Sequence, residues 1–371
     1  MARRTIRRLA SLNIGEQTNL ATKQTTFTRA IPFRAGDQIL EQPQDDRQAD
    51  VLGNASLWGE HFPPERISNM SQVMVSGPLD LQQILLPLLS GLVGGVTGTV
   101  DSTVDSAYAW AFTPDMDASS RTEVDYYTFQ GVERSAGGAQ SVHTVEVPKA
   151  FCSQLVITIP EGGAGALVTA QATYRGGKLD DPGGNPATGL SIATPRLLVP
   201  SKLCAIGFFD TWAAAASGAA AASVAVRGAT ITIPMGLEPS ENLQANEDLD
   251  YTALDAVPTN ATVGVSIYGD PAVNSLEREE KAHKEAGDLR FLRFSLPASR
   301  TLVDGSDATS TLQPSMEIIM ALRHATDSEV ARGQADGQGR QTYQLNYVAA
   351  ADSAQTNGLY VAVTNGESSF P

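Results

Sequence analysis

Two cysteines, four histidines and a charged fraction of only 18% leave this 371-residue chain short of the groups from which reactive sites are built. Cys152 and Cys204 sit in apolar runs, Ala150-Phe151-Cys152 and Leu203-Cys204-Ala205-Ile206. Too few for a disulfide framework, they read as two buried free thiols in a reducing compartment, with one bridge between them left open. His61, His143, His283 and His324 stand singly, without metal-ligand spacing to one another or to the cysteines. No phosphate-cradling loop is present, since Gly176-Gly177-Lys178 is followed by Leu179. No Gly-x-Ser-x-Gly elbow occurs. Asp115-Met116-Asp117 and Asp248-Leu249-Asp250 lack the glycine and distal glutamate of a calcium loop. An enzyme is expected to show at least one such constellation, so a non-catalytic role without cofactor or metal is expected. Met1 to Arg8 lacks the apolar stretch of a secretory signal.

Basic charge is also scarce. Lys and Arg total 26 against 41 Asp and Glu, a net −15, which argues against a clamp on duplex DNA. The imbalance is uneven. Residues 1–36 carry Arg3, Arg4, Arg7, Arg8, Lys23, Arg29 and Arg34 against Glu16, a balance of +6 that leaves −21 on the rest. A basic arm on an acidic body is suited to contact between neighbouring copies, with a transit peptide, a nucleic-acid tail or a disordered tail as the competing readings, and Arg3, Arg4, Arg7, Arg8, Arg29 and Arg34 are its contact candidates.

What the chain does have is one clear apolar stripe. Leu81, Ile84, Leu85, Leu88, Leu89 and Leu92 recur at helical spacing after Ser76-Gly77-Pro78-Leu79-Asp80. Asp80 is placed to cap the start and Gly94-Gly95 to stop the end, with Pro87 a kink inside. Roughly fifteen residues fall short of the ~20 needed to span a bilayer. The expectation is a helix over 81–95 lying across a sheet.

Elsewhere the pattern is β. An extended arm or strand is expected over 18–33, a long polar loop over 36–52, and strands at 51–59 and 71–75. Tyr108, Trp110 and Phe112 alternate onto one face, and 108–113 with 122–130 is expected to form a hairpin through the polar turn 115–120. Strands follow at 140–147, 155–159 and 166–174. The Pro, Gly and Asp-rich stretch 178–201 is taken as a linker. Beyond it come strands at 205–212 and 223–233, an Ala-rich bridge over 213–222 that is either helix or loop, and an acidic solvated loop over 238–255. A strand at 262–268, a polar helix over 274–286 ended by Gly287, and strands at 289–296, 316–324, 342–348 and 358–363 complete the chain. Strand, turn with Gly and Pro, helix, Gly stop, several strands thus occurs twice, at 71–174 and 262–363, which points to internal duplication. The domains are then 1–50 (arm and polar loop), 51–177, 178–201 (linker) and 202–371.

The run Ser76-Gly77-Pro78-Leu79-Asp80-Leu81-Gln82-Gln83-Ile84-Leu85-Leu86-Pro87-Leu88-Leu89, then Tyr108-Ala109-Trp110-Ala111-Phe112-Thr113-Pro114, then Ala170-Gln171-Ala172-Thr173-Tyr174-Arg175-Gly176, resembles the major tail tube proteins of long-tailed bacteriophages. The matching motifs cover 51–177 best. The resemblance implies a mainly β chain of two tandem tail-tube-type β-sandwich or barrel domains, each with one packed α-helix, plus an extended N-terminal arm and long loops. It further implies sheets shared between copies to close an inner barrel, and rings stacked into a hollow tail in the virion. Three copies would supply the six domains that other tubes take from six chains, with six copies as the alternative. Tape measure and tail-end proteins are the implied partners, with DNA passing through unbound and no membrane involved. The acidic balance fits a conduit independently, because a negative lumen repels phosphate. The alternatives are another virion protein, such as a baseplate or capsid decoration subunit, or a carbohydrate-binding β-sandwich using Tyr108, Trp110 and Tyr126.

Overall fold

The computed structural model describes residues 7–34, 37–46, 55–56, 59–60, 65–102, 104–114, 123–135, 142–161, 165–182, 186–192, 194–217, 226–240, 251, 253–257, 261–268, 275–304, 309–325, 331–335, 341–350 and 358–370. Its first half runs β1 (Arg7–Gln17), β2 (Arg29–Ile31), β3 (Gln38–Asp46), β4 (Ala55–Ser56), β5 (Gly59–Glu60), β6 (Glu65–Pro78), α1 (Leu85–Leu89), β7 (Thr99–Val100), β8 (Tyr108–Phe112), β9 (Tyr126–Ser135), β10 (Val142–Ile159) and β11 (Thr169–Gly176). The second half runs β12 (Ala205–Phe209), α2 (Trp212–Ser217), β13 (Val226–Pro234), β14 (Leu237–Ser240), β15 (Ala253–Ala256), β16 (Thr262–Tyr268), α3 (Ser275–Ala286), β17 (Arg290–Pro297), β18 (Leu302–Val303), β19 (Thr311–Leu312), β20 (Ser315–His324), β21 (Ala331–Ala335), β22 (Gln341–Ala349) and β23 (Leu359–Asn365).

The protein is mainly β, dominated by one large antiparallel sheet that curls around its core into a barrel-like body. The three short pairs β4–β5, β14–β15 and β18–β19 stand outside it. The ladders branch at β10, β20 and β22 and do not return on themselves. Consequently β2, β3, β7, β12 and β21 each have a single strand partner among the described residues. Side chains alternate as a half-buried sheet requires: β23 buries Leu359, Val361 and Val363 and turns the residues between them outward.

The order of pairing occurs twice. In the first half the strands lie β3-β6-β11-β10-β9-β1. In the second they lie β13-β16-β22-β20-β17-β12, and matched strands come in the same chain order, with α1 and α3 at the same place. β21 prolongs β20 along β22, so β20 and β21 together correspond to the long strand β10. Short sequence echoes fall at matched positions: Val73-Met74-Val75-Ser76 against Val263-Gly264-Val265-Ser266, and Gln171-Ala172-Thr173-Tyr174 against Gln344-Leu345-Asn346-Tyr347.

These two units are sewn together. β10 pairs with β13 from Gln154↔Pro234 to Ile159↔Ala229, and β8 pairs with β23. One principal hydrophobic core draws on both halves, with Leu12, Trp110, Phe129 and Leu155 beside Ile231, Phe294, Ile318 and Val361. β10 bends where it leaves β9 for β11, with register shifts at Val147/Ala150 and Cys152/Gln154 and Lys149 at φ 58°. A left-handed lysine is strained. Tyr251 holds it there, its hydroxyl donating to the Lys149 carbonyl and its ring lying 5.7 Å from that of Phe151. At the joint a Cβ on Gly228 would lie 2.7 Å from the Ile159 carbonyl oxygen, so glycine permits the approach of β13 to the end of β10.

Several expectations are corrected. The helix expected over 81–95 is shorter: α1 covers Leu85–Leu89, flanked by hydrogen-bonded turns. Pro87 supplies the reason, since it has no N–H for the Gln83 carbonyl, which instead accepts from Leu86 at 3.2 Å. Residues 38–46 and the ends of 238–255 are strands, not loops, because 38–46 pairs with β6 and the two ends of 238–255 pair with each other as β14–β15. The hairpin expected from 108–130 does not form: β8 pairs with β7 and β23, β9 with β1 and β10, and the turn 115–120 lies outside the described residues. The N-terminal segment is no arm from Arg7 onward, since Leu12 and Ile14 point into the core and Asn13 Nδ2 donates to Gln130 Oε1 at 3.1 Å.

Candidate assembly surfaces

The Leu stripe goes inward completely. Leu81, Ile84, Leu85, Leu88, Leu89 and Leu92 are all buried, as are Leu86, Pro87 and Ser90 on the other faces. Each of the leucine and isoleucine side chains contributes about 1.5–3 kcal/mol on leaving water. The helix is enclosed because the segment over 194–200 covers it: Leu197 and Val199 are buried, Leu81 N–H donates to the Leu197 carbonyl, and Arg196 Nε meets Asp80 Oδ2 at 2.8 Å. Asp80 also accepts from the backbone of Gln82 and Leu197, both at 3.2 Å, and so caps the turn and ties down its cover. Part of the stretch read as a linker is thus core.

α3 occupies the matching place with opposite chemistry. Among its described residues only Glu280 is buried. Arg290 donates to Glu280 Oε1 through Nη2 at 2.6 Å and Nε at 3.1 Å, while Tyr347 Oη donates to Oε2 at 2.8 Å and His324 Nε2 lies 3.0 Å from Oε2. Asp210 completes the cluster against Arg290 Nη1. Burial pushes the Glu280 carboxyl up, but the bonds from His324 and Arg290, the charge of Arg290 and the Tyr347 hydroxyl outweigh it and hold it below the ordinary carboxylate range. Every carboxylate oxygen is occupied, so the cluster anchors a helix and has no room to perform acid–base chemistry. Sequence periodicity gave no sign of it, because its partners lie on three separate elements.

The basic candidates have different fates. Arg3 and Arg4 lie outside the described residues; Arg7 and Arg8 form the start of β1, opposite Ser135 and Arg134. Arg29 is buried, its Nη2 paired with Glu367 Oε2 at 2.8 Å and its guanidinium 4.5 Å over the Phe370 ring. It fastens the C-terminal segment and is not a surface contact. Lys23 is engaged in the same way, bonded to Glu146 and Asp180. Arg34 is exposed, at the mouth of a cavity of about 270 Å³ between β6, β11 and α1.

Other groups are quiet. Cys152 is buried and Cys204 half-buried, both as free thiols. His283 contacts Asp288 at 2.9 Å and His143 contacts Asp181 at 3.3 Å. Among the described residues no three His, Cys, Asp or Glu side chains are grouped to hold a metal, and no helix is long and apolar enough to cross a membrane. What stands out is the backbone of the unpaired edges. Leu40 on β3 is 38% exposed, on a strand with a single partner among the described residues. Exposed edges of this kind are templates for another strand.

No protein-family model matches the chain, and no curated protein matches it.

Proposed function

We propose that this chain is the structural subunit of a tail tube of the kind found in long-tailed bacteriophages, with two tandem tail-tube-type β domains per chain. It polymerises as stacked rings into a hollow, acid-lined conduit through which DNA passes during ejection. Its site is the virion tail, after synthesis in the host bacterial cytoplasm, and its partners are other copies of itself, a tape measure protein and tail-end proteins. Three chains per ring give a pseudo-six-fold arrangement.

The observation that carries this reading is the recurrence of one strand order in two units that join edge to edge, β10 to β13, while the strands equivalent to that joint, β3 and β21, each have a single strand partner among the described residues. A chain that continues its sheet from one unit to the next is built to be continued by its neighbours. Closure of such a head-to-tail contact gives rings. The net charge of −15 favours passage of duplex DNA over retention, because basic residues facing phosphate would bind it. No catalytic step enters.

Negative-stain microscopy of the purified chain across a range of salt tests the proposal. Hollow filaments of uniform width, with three-fold or six-fold end views, are expected. Monomers alone under every condition overturn it, and closed rings that never stack favour a baseplate or decoration subunit instead.

A further inference from the structure

The contact that joins two units inside one chain also specifies a contact between chains. β10 and β13 meet in a six-residue antiparallel ladder, Gln154↔Pro234 to Ile159↔Ala229. The strand matching β13 in the first unit is β3, paired only with β6 among the described residues. The stretch matching the far half of β10 in the second unit is β21, paired only with β22 among the described residues. Each is half of a joint whose other half lies elsewhere in the same chain, too deep in the order to fold back: β3 and β21 stand at opposite ends of the repeated arrangement. A second copy of the chain supplies the missing half.

We propose that β3 of one copy pairs antiparallel with β21 of the next, repeating between chains the ladder that joins β10 to β13, with Leu40 opposite Ala331 and Ile39 opposite Arg332.

The register follows from the matched positions. Aligning Val73 with Val263 and Tyr174 with Tyr347 sets β6 on β16 and β11 on β22 with buried residues on the same face in both. The ladders β3–β6 and β13–β16 then place Ile39 at Ile231 and Leu40 at Thr232. The ladders β10–β11 and β21–β22 place Ala331 at Val156 and Arg332 at Ile157. Within the chain, Val156 faces Thr232 and Ile157 faces Ile231. Both edge strands carry a proline near the end of the ladder, Pro43 on β3 and Pro234 on β13, a residue with no backbone N–H to donate. Pairing satisfies backbone groups that otherwise face water and covers the exposed Leu40. The contact joins unlike surfaces, so it propagates and either closes a ring or runs on as a filament. It deepens the tube reading by naming the contact within a ring, and rests on that reading only for the stacking of one ring on another.

Cysteine cross-linking of the full chain tests it. Directly opposed antiparallel residues lie about 4.5–5.5 Å apart at Cα, within reach of a disulfide. A mixture of Leu40→Cys and Ala331→Cys chains under mild oxidant is expected to give a covalent dimer on a non-reducing gel, while each alone stays monomeric. Val156→Cys with Thr232→Cys in one chain is the internal control, expected to close without changing mass. The doubly substituted Leu40→Cys/Ala331→Cys chain is expected to give a covalent oligomer whose size counts the copies in a ring. Tubes seen by microscopy without the mixed cross-link overturn this pairing and leave the tube reading intact. Cross-linking of Leu40→Cys to itself overturns it too, since that is a two-fold contact. Cross-linked rings that do not stack support the pairing against the tube, and the absence of both assembly and cross-link overturns both.

Discussion

Replacing Glu280 by Gln tests whether a single buried carboxylate holds α3 to the second unit. The substitution keeps the size of the side chain and removes the charge, leaving Arg290 buried with Asp210, whose side chain is 76% exposed. An exposed partner of this kind contributes about 0–1 kcal/mol and does not replace the lost one. Stranding a buried guanidinium costs about 3–5 kcal/mol. Unfolding entropy of about 2.1 cal/mol/K per residue amounts to roughly 0.8 kcal/mol/K for this chain, so the monomer's melting temperature falls by about 4–6 °C. The pH dependence carries an independent signature. The folded Glu280 carboxyl lies below its unfolded value, so its stabilisation is complete above about pH 4.3 and is lost as pH falls through the folded value. Thermal melts between pH 2 and 7 should therefore show the variant converging on the parent at the acid end. Amide exchange should quicken in 275–286 first, because Glu280 is the one buried residue among those described in α3. Arg290→Met in the Glu280→Gln background should recover part of the loss, since it removes the stranded charge. A melting shift below 1 °C with an unchanged acid limb refutes the reasoning.

Two further outcomes follow from packing. Gly15→Ala should destabilise by more than the ordinary cost of a surface change, about 2 kcal/mol or above, because its Cβ would lie 2.3 Å from the Thr26 carbonyl oxygen; denaturant titration of the monomer reads it, and a neutral result means that the turn over 18–28 yields freely. Cys152 and Cys204 should resist maleimide at pH 8 in the folded protein and react fully in guanidinium, since burial pushes the Cys152 thiol far up and that of Cys204 up to about 12; prompt labelling of Cys152 in the native state contradicts its burial.

Most strands were legible because their signal is local. Alternation at 262–268 and 342–348 and the aromatic face of Trp110 and Phe112 need only a half-buried sheet, and that is what forms around β16, β22 and β8. Partnership was not legible. Tyr108–Phe112 and Tyr126–Ser135 look like neighbours along the chain, yet β8 pairs with the C-terminal strand more than 240 residues away, where Asn365 and the Glu367 carbonyl receive the Trp110 indole N–H. The stretches at 38–46 and 253–256 hid strands because neither carries a sustained alternation of apolar residues along its length. Arg29 misled for a related reason: a cation in a basic segment reads as surface, and only the fold brings Glu367 and Phe370 to it. Glu280 escaped notice because an inward carboxylate breaks the rule by which helix faces are read, and its partners are assembled from β17, β20 and β22.

The contrast between α1 and α3 bears on how one strand order came to serve two units. An all-apolar helix at this position must be covered, and Leu197 and Val199 of the segment between the units cover α1. In the second unit the chain leaves β22 for β23, which pairs with β20 and β8. α3 is polar and largely exposed among its described residues, and it is held by directional bonds in place of burial, which is what Glu280 provides. The same reasoning applies to the edges. Within the chain the far half of β10 is covered by β13, whereas β21 has β22 as its single strand partner among the described residues. β21 itself, Ala331-Arg332-Gly333-Gln334-Ala335, carries no proline to blunt that edge. The proposed pairing fills that open edge with β3 of the next copy.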